Sequence, residues 1–387
     1  TWPQLASAVG LGGAITTDTW RRIVLNKFMA SGRFYIDLTE IVHERNAHNF
    51  NLIKEEPPKT YYPQDNSSID FEKYIQSIKN ETLPNQLFLE KEKLSELIKY
   101  AILAPSGGNT QPWKWIYNDG VLFLLLDKQR SSSLLDFKSY AGYLSLGACI
   151  ENLKIASDNF GYDIDVKSFN SPCIEVVSSI RFFPKKKKSL INERHFPCLS
   201  TRETNRRIVK KVALLEKEIL PLLDSIKGVK GAELKIITKK EQISQLGKVI
   251  SGIERIRVLN KKSHSELMNE IRWTEDENLA TRDGIDIKTL ELTEGEKAGM
   301  QLTKKYSIVD ILKRLGLGKS YEKLSDKYMN SSSAIGVLRM PKHNEENFFH
   351  GGRALQRIWL EATHHKLALQ PLTPCTFIFA RLKEGCL

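Results

Sequence analysis

The sequence predicts an α+β chain made of two fused halves, and three observations carry that expectation. Apolar residues recur at helical spacing in some stretches and as short continuous runs in others. Asp119-Gly120 stands between two apolar runs, Trp113 to Tyr117 and Val121 to Leu126, and favours a tight hairpin there because both residues tolerate positive φ. The segment carrying Gly147, Cys149, Ile150, Leu153 and Tyr162 is followed about 205 residues later by Gly352, Ala354, Leu355, Ile358 and Leu367. Both segments read as buried helices. Each is preceded by a strand-like run (Val121 to Leu126; Ala334 to Val337) and followed by another (Ile174 to Val177; Thr376 to Ala380), as a repeated unit would be. Shared apolar periodicity also arises by chance, so the repeat is an expectation to test.

Leu94, Leu97, Ile98, Ala101 and Ile102 predict a helix that Pro105 stops, since proline offers no N–H and clashes with the preceding turn. Pro105, Ser106, Gly107, Gly108, Asn109, Thr110 and Gln111 follow. The glycines permit positive φ and close approach of the main chain to a planar ligand, while Ser106, Asn109 and Gln111 supply neutral donors and acceptors suited to the rim of an isoalloxazine ring. A polar loop joining a helix to a strand accounts for the same residues.

Farther along, Arg202-Glu203-Thr204-Asn205-Arg206-Arg207 precedes a helical run through Leu214, Ile219 and Leu222. Two guanidinium forks and a hydroxyl at a helix start suit a phosphomonoester, because the first turn adds unpaired N–H groups and partial positive charge. A capped helix with solvated arginines is the competing reading.

Taken together, the two stretches resemble the nitroreductase superfamily, whose members carry an Arg-x-Ser-x-Arg/Lys phosphate motif and a Pro-Ser-Ser/Gly-x-Asn-x-Gln-Pro-Trp loop. The resemblance implies a three-layer nitroreductase-like fold and FMN held by Arg202, Thr204, Asn205, Arg206, Pro105, Ser106, Gly107, Gly108, Asn109 and Gln111. It also implies NADH or NADPH as electron donor and a small-molecule electron acceptor. The order of motifs is inverted: the loop comes first, and the arginines about a hundred residues later. Ordinary members are homodimers with sites at the interface, so the inversion implies an intramolecular pseudo-dimer. One half keeps the loop but has Leu83-Pro84-Asn85-Gln86 where arginines would stand, and the other keeps the arginines without a second loop.

The first residues look different. Leu5, Ala8, Val9, Leu11 and Ile15, then Trp20 to Leu25 and Phe34 to Leu38, resemble the C-terminal tail of an E1-like (ThiF-type) adenylating domain, which some bacterial proteins fuse ahead of a nitroreductase-like domain. Gly10-x-Gly12-Gly13 is too short for a dinucleotide fingerprint. The nucleotide-binding glycines of such a domain would lie upstream, so no adenylation is expected of this chain, and the missing upstream domain becomes an expected partner. The expected organisation is 1–46 tail, 47–86 connector rich in Pro57-Pro58 and Tyr61-Tyr62-Pro63, 87–190 first half, and 191–387 second half with an inserted lid. Glu270-Ile271-Arg272-Trp273 with Arg282-Asp283-Gly284-Ile285 resembles the large-insert subgroup, and the resemblance implies a lid or flavin-edge role for this segment.

Composition fits a globular protein of 387 residues with 41% hydrophobic and 27% charged content. Five widely spaced cysteines without a Cys-x-x-Cys pair argue against a disulfide scaffold or structural zinc, which favours a reducing cytoplasm. The +12 net charge comes largely from scattered lysine pairs and Lys185 to Lys188, without interleaved aromatics, so neither nucleic acid nor membrane is expected as a partner. Gly316-Leu317-Gly318-Lys319-Ser320 ends like a phosphate loop but has Lys313 where the first glycine belongs. His364 and His365 are adjacent on a helix, poor geometry for a metal, and no metal is expected. A homodimer through non-flavin surfaces remains compatible with all of this.

By resemblance, hydride passes from the nicotinamide through flavin N5 to an acceptor, with no catalytic side chain assigned. The family's loop near Pro371-Leu372-Thr373-Pro374 normally offers an N–H to N5, and proline at that point has none to give. The alternative function is an FMN-sequestering store without turnover.

Overall fold

The computed structural model describes residues 73–75, 77–78, 83–171, 175–185, 187–208 and 211–385. The adenylating-domain tail at 1–46, most of the connector, Cys173, Ile174 and Cys386 fall outside them.

Helix α1 spans Lys91–Ala101 and buries Leu94, Leu97 and Ala101, one stripe at helical spacing; it ends with Ile102 as its cap, three residues before Pro105. Strands β1 (Trp113–Asn118) and β2 (Val121–Leu126) form the expected antiparallel hairpin, with Asp119 at φ 48° and Gly120 at φ 77° in the turn. Helix α2 (Tyr140–Asn159) is followed by β3 (Tyr162–Ser168) and β4 (Val176–Pro184), giving a sheet of order β1-β2-β4-β3. Tyr162 therefore opens a strand instead of continuing the helix, because Gly161 at φ 85° breaks it.

Alternate residues of β2 point to opposite faces. Leu122, Leu124 and Leu126 join α1 and α2 in the main core, whereas Val121, Phe123 and Leu125 meet Tyr74, Ile75 and Ile78 on the other face. Helix, sheet and helical segment thus make three layers.

Short helices α3 (Leu190–His195) and α4 (Cys198–Thr201) lead to a stretch without regular structure, 202–208, and α5 spans Glu216–Ser225. Strand β5 (Glu233–Ile237) pairs antiparallel with a much later strand, β8 (Ile335–Arg339). Between them comes a largely helical insert: α6 (Lys240–Leu259), α7 (Lys261–Glu270), β6 (Ile271–Arg272), α8 (Glu275–Thr281), β7 (Ile285–Asp286), α9 (Glu294–Leu302), α10 (Tyr306–Arg314) and α11 (Ser320–Ser331). The chain closes with α12 (Glu345–His364) and α13 (Pro374–Lys383). The run Thr376 to Ala380, expected as a strand, is part of α13. Pro374 pre-sets φ for a first helical turn, and Phe377 and Ala380, three residues apart, pack together against Phe137 and Tyr140.

Helices α2 and α12 cross at the centre of the molecule. A Cβ built on Gly147 would overlap the Phe349 carbonyl, and one built on Gly352 would overlap the Leu144 carbonyl. Each glycine therefore faces the carbonyl three residues before the other, a reciprocal contact. Buried polar groups line the crossing. Arg353 Nε and Arg357 Nη1 donate to the Glu151 carboxylate at 3.0 and 3.1 Å, and Gln356 Nε2 donates to Asn152 Oδ1 at 2.7 Å.

Gly147→Ala or Gly352→Ala should destabilise the fold by about 3 kcal/mol or more, the upper range for overpacking, because the obstacle is backbone and cannot rotate away. Gly161→Ala, with nothing within 4 Å of its Cβ position, should cost only about 1 kcal/mol through its positive φ. Thermal and urea unfolding of the three variants checks the ranking, and equal effects would contradict it.

Candidate functional site

The loop after α1 is a tight polar turn. Gly108 (φ 57°), Asn109 (φ 54°) and Gln111 (φ 51°) occupy the left-handed region, whereas Gly107, also expected there, does not. Asn tolerates that conformation through local hydrogen bonding. Gln111 is held in it by two bonds: its N–H donates to Ser106 Oγ at 3.0 Å, and its Nε2 donates to the Arg282 carbonyl at 2.8 Å. Gly108 has a second reason to lack a side chain, since its Cβ position lies 3.0 Å from Glu270 Cδ.

The arginine segment does not start a helix. Arg202 caps α4 at its C-terminal end, residues 203–208 form neither helix nor strand, and the next helix among the described residues begins at Glu216, where Leu215 N–H donates to Glu218 Oε2 at 2.7 Å. The expected helix-dipole contribution is therefore missing, and positive charge at the site comes from side chains. Arg202 stacks on the Trp359 ring at 4.5 Å and donates from Nη2 to the Leu103 carbonyl at 3.0 Å. Its Nε is buried without an acceptor. Arg206 donates from Nη1 to the Thr289 carbonyl at 3.2 Å. Among the described residues neither has a carboxylate at ion-pair distance, and burial pushes Arg202 down to about 10 and lowers Arg206 as well. Arg207 differs: it is exposed and paired with Glu291 at 3.0 Å.

Tertiary folding brings the two motifs face to face. A cavity of about 650 Å³ is walled by Pro105, Ser106, Gly108 and Asn109 on one side and by Arg202, Thr204, Asn205 and Arg206 on the other, with 284–291 of the insert across it. That volume lies within the usual range for a small-molecule site. A second cavity of about 220 Å³ shares Pro105, Ser106, Gly108, Thr204 and Arg206 as its wall and adds Gly107, Asp136, Arg257, Glu270 and Pro374. Gln111 lines neither and ties the loop to the insert instead. Pro374 is the first residue of α13 and presents no N–H, while Thr376 and Phe377 donate to the Thr373 carbonyl.

The insert meets the site through part of the two stretches singled out in the sequence. Arg272 is bound to Asp283 and, at 2.8 Å from Nε, to Thr281 Oγ1, while Trp273 donates to the Met268 carbonyl and lies under Lys304. Neither lines either of these two cavities, whereas Glu270, Gly284 and Ile285 of the same two stretches do. Sequence reading also missed Trp359, indistinguishable from a core residue of a buried helix, and Asp136, whose one signal was its place just before an apolar helix.

Asp136 Oδ1 accepts the N–H groups of Ala141 at 2.7 Å and Gly142 at 3.2 Å. Burial nevertheless pushes its carboxyl up to about 7, against the smaller opposing pull of those amides and of Ser131. Burial also raises Glu270, with Arg257 opposing.

No protein-family model matches the chain. It is similar over 381 residues, 98% of its length, to the uncharacterized protein MT1398 of Mycobacterium tuberculosis (strain CDC 1551 / Oshkosh), at 26% identity, covering 50% of that protein. The chain thus spans about half the length of this relative. Over 92 residues, 24% of the chain, it is 32% identical to proteins provisionally named NAD(P)H nitroreductase acg from the same strain and from strain ATCC 25618 / H37Rv, covering 28% of their length. The α+β architecture is consistent with a nitroreductase-like fold. No helix among the described residues is long and apolar enough to cross a membrane.

The raised Asp136 carboxyl sets a pH dependence of stability. Its folded form holds the proton above the unfolded value of 3.8, so the associated stabilisation is complete below that pH and is lost as pH rises to about 7. Relative to Asp136→Asn, the parent protein should lose thermal stability across that window and then level off. A constant difference between the two from pH 4 to pH 8 would contradict this.

Proposed function

We propose that the chain binds FMN and transfers hydride from NADH or NADPH through flavin N5 to a small-molecule acceptor. The observation that carries the reading is Arg202, a half-buried guanidinium whose Nε is enclosed without an acceptor and which, among the described residues, has no carboxylate at ion-pair distance, on the same cavity as a glycine-bearing polar loop from a distant part of the chain. A buried cation left without a counter-charge is expensive, and a phosphate dianion would complete it. The residues fit the cofactor. Arg202, Thr204 and Arg206 would hold the phosphate, Trp359 would fix the Arg202 plane by stacking, and Pro105 to Asn109 would run along the ring. Gly108 keeps the loop's main chain free to approach a flat ligand. When bound, flavin supplies the two-electron chemistry, while the protein supplies position, charge and exclusion of water.

The reciprocal Gly147 and Gly352 contact supports a pseudo-dimer of two fused halves, 87–190 and 191–387, with one complete flavin site. In this reading residues 1–46 are the tail of a ThiF-type domain, an upstream adenylating domain is a partner, and the protein works in a bacterial cytoplasm.

A second reading, FMN sequestration, is favoured by specific contacts. The insert is fastened to both motifs through Gln111 to Arg282, Arg206 to Thr289 and Arg207 to Glu291, and Pro374 lacks the N–H that N5 would use.

Arg202→Ala should weaken FMN binding by about 1.5 to 3 kcal/mol, about ten- to a hundredfold, whereas Arg207→Ala should change it less than about threefold. Quenching of flavin fluorescence measures both, and unchanged affinity in Arg202→Ala would end the phosphate assignment. Mixing the FMN-loaded protein with excess NADPH separates the two functions: bleaching within minutes supports hydride transfer, and a flavin that stays yellow supports storage.

A further inference from the structure

The smaller cavity contains a carboxyl group for which flavin binding has no use. We propose that Asp136 donates a proton to the electron acceptor as the acceptor takes up hydride, which makes the cavity of about 220 Å³ the acceptor's seat. The proposal rests on the oxidoreductase reading and gives that site a catalytic residue.

Geometry carries it. Asp136 faces the same space as Pro105 to Gly108 on one side and Pro371 to Pro374 on the other. Its Oδ1 is occupied by two main-chain N–H groups, and its own N–H donates to the Ser133 carbonyl at 3.1 Å, so the carboxyl is fixed in position and Oδ2 is the oxygen left to carry a proton. Phe377 lines the same cavity and packs with Phe137, the residue after Asp136, so one part of the wall is apolar. A carboxyl pushed up to about 7 exchanges its proton near neutrality, which is well matched to proton donation.

The charged groups around Asp136 come from several elements. Arg130 shares its loop, Arg206 belongs to the arginine segment, and Arg257 and Glu270 reach the cavity from the insert. Glu266 accepts the Leu134 N–H at 2.6 Å, Arg381 donates to the Leu134 carbonyl at 2.6 Å, and Lys138 pairs with Glu384. Tyr143, one helical turn into α2, is pushed up to about 12, mainly by burial, with Glu345 and Asp136 adding to the effect.

For a quinone the step balances as follows. Hydride from the reduced flavin, originally supplied by NADH or NADPH, adds to the quinone and leaves a negative charge on one oxygen. The Asp136 O–H bond breaks as its proton bonds to that oxygen, and the carboxylate is reprotonated from water.

The test compares 1,4-benzoquinone, which needs a proton, with ferricyanide, which takes electrons only, as oxidants of the reduced FMN-loaded protein. Asp136→Asn keeps the acceptor for both α2 amides and should preserve the fold. It should slow the benzoquinone reaction at least about tenfold and flatten its pH profile near 7, with ferricyanide oxidation within about twofold of the parent. A merely structural role would slow both oxidants together, and that result would overturn the proposal. So would an effect confined to Glu270→Gln, the other buried carboxyl of the cavity. An infrared difference spectrum between flavin-free parent and Asp136→Asn should show a protonated carboxyl band vanishing with a midpoint near 7; an ionised carboxylate already at pH 5 would refute the assignment. Failure to take up FMN would sink the oxidoreductase reading and this proposal with it, whereas FMN uptake with normal benzoquinone kinetics in Asp136→Asn would sink this proposal alone.

Discussion

The crossing of α2 and α12 at Gly147 and Gly352 is the constraint on which the rest of the structure depends. Two backbones meet with no side chain between them, so the helices cannot slide or separate without losing the contact on both sides. The buried Glu151, Arg353 and Arg357 cluster adds a chemical lock. Ion pairs of this kind contribute little net stability, but breaking one leaves an uncompensated charge in the interior. Because α12 carries Trp359 and α2 is preceded by the Asp136 loop, the crossing fixes the distance between the platform beneath Arg202 and the wall opposite it.

On that frame the electrostatics of the site follow from burial more than from pairing. Arg202 and Arg206 are drawn out of water and denied carboxylates, while Arg207, one residue on, is exposed and neutralised by Glu291. Both line the larger cavity, and the difference lies in their partners: Arg206 meets the Thr289 carbonyl and Arg207 the Glu291 carboxylate. Asp136 and Glu270 show the complementary effect, carboxyls whose charged forms are disfavoured by the same enclosure. The smaller cavity thus concentrates groups whose protonation responds to what enters it.

The insert completes the enclosure with main-chain acceptors. Arg282 and Thr289 offer carbonyl oxygens to Gln111 and Arg206, contacts that need a defined backbone path but no particular side chain at the accepting position. Such contacts leave little trace in a sequence. Within the two stretches read from sequence, Arg272 and Trp273 turn to Asp283 and Met268, while Glu270, Gly284 and Ile285 face the cavities.

Local chemistry determined a good part of this protein. The stop at Pro105, the Asp119-Gly120 hairpin, the alternating faces of β2 and the polar loop at Ser106 to Gln111 all follow from properties of a few adjacent residues, and they could be read without a structure. The glycines of the two buried helices were visible too, as a repeated spacing. Tertiary structure decided what depends on neighbours far along the chain. It turned Thr376 to Ala380 into helix because Phe377 and Ala380 had Phe137 and Tyr140 to pack against, and it left the arginine segment, 202–208, out of helix. It set Trp359 beneath Arg202, left Arg202 Nε unsatisfied, and enclosed Asp136 tightly enough to hold its proton. Burial and charge pairing are sums over surroundings drawn from several elements, and no single stretch of sequence contains those surroundings.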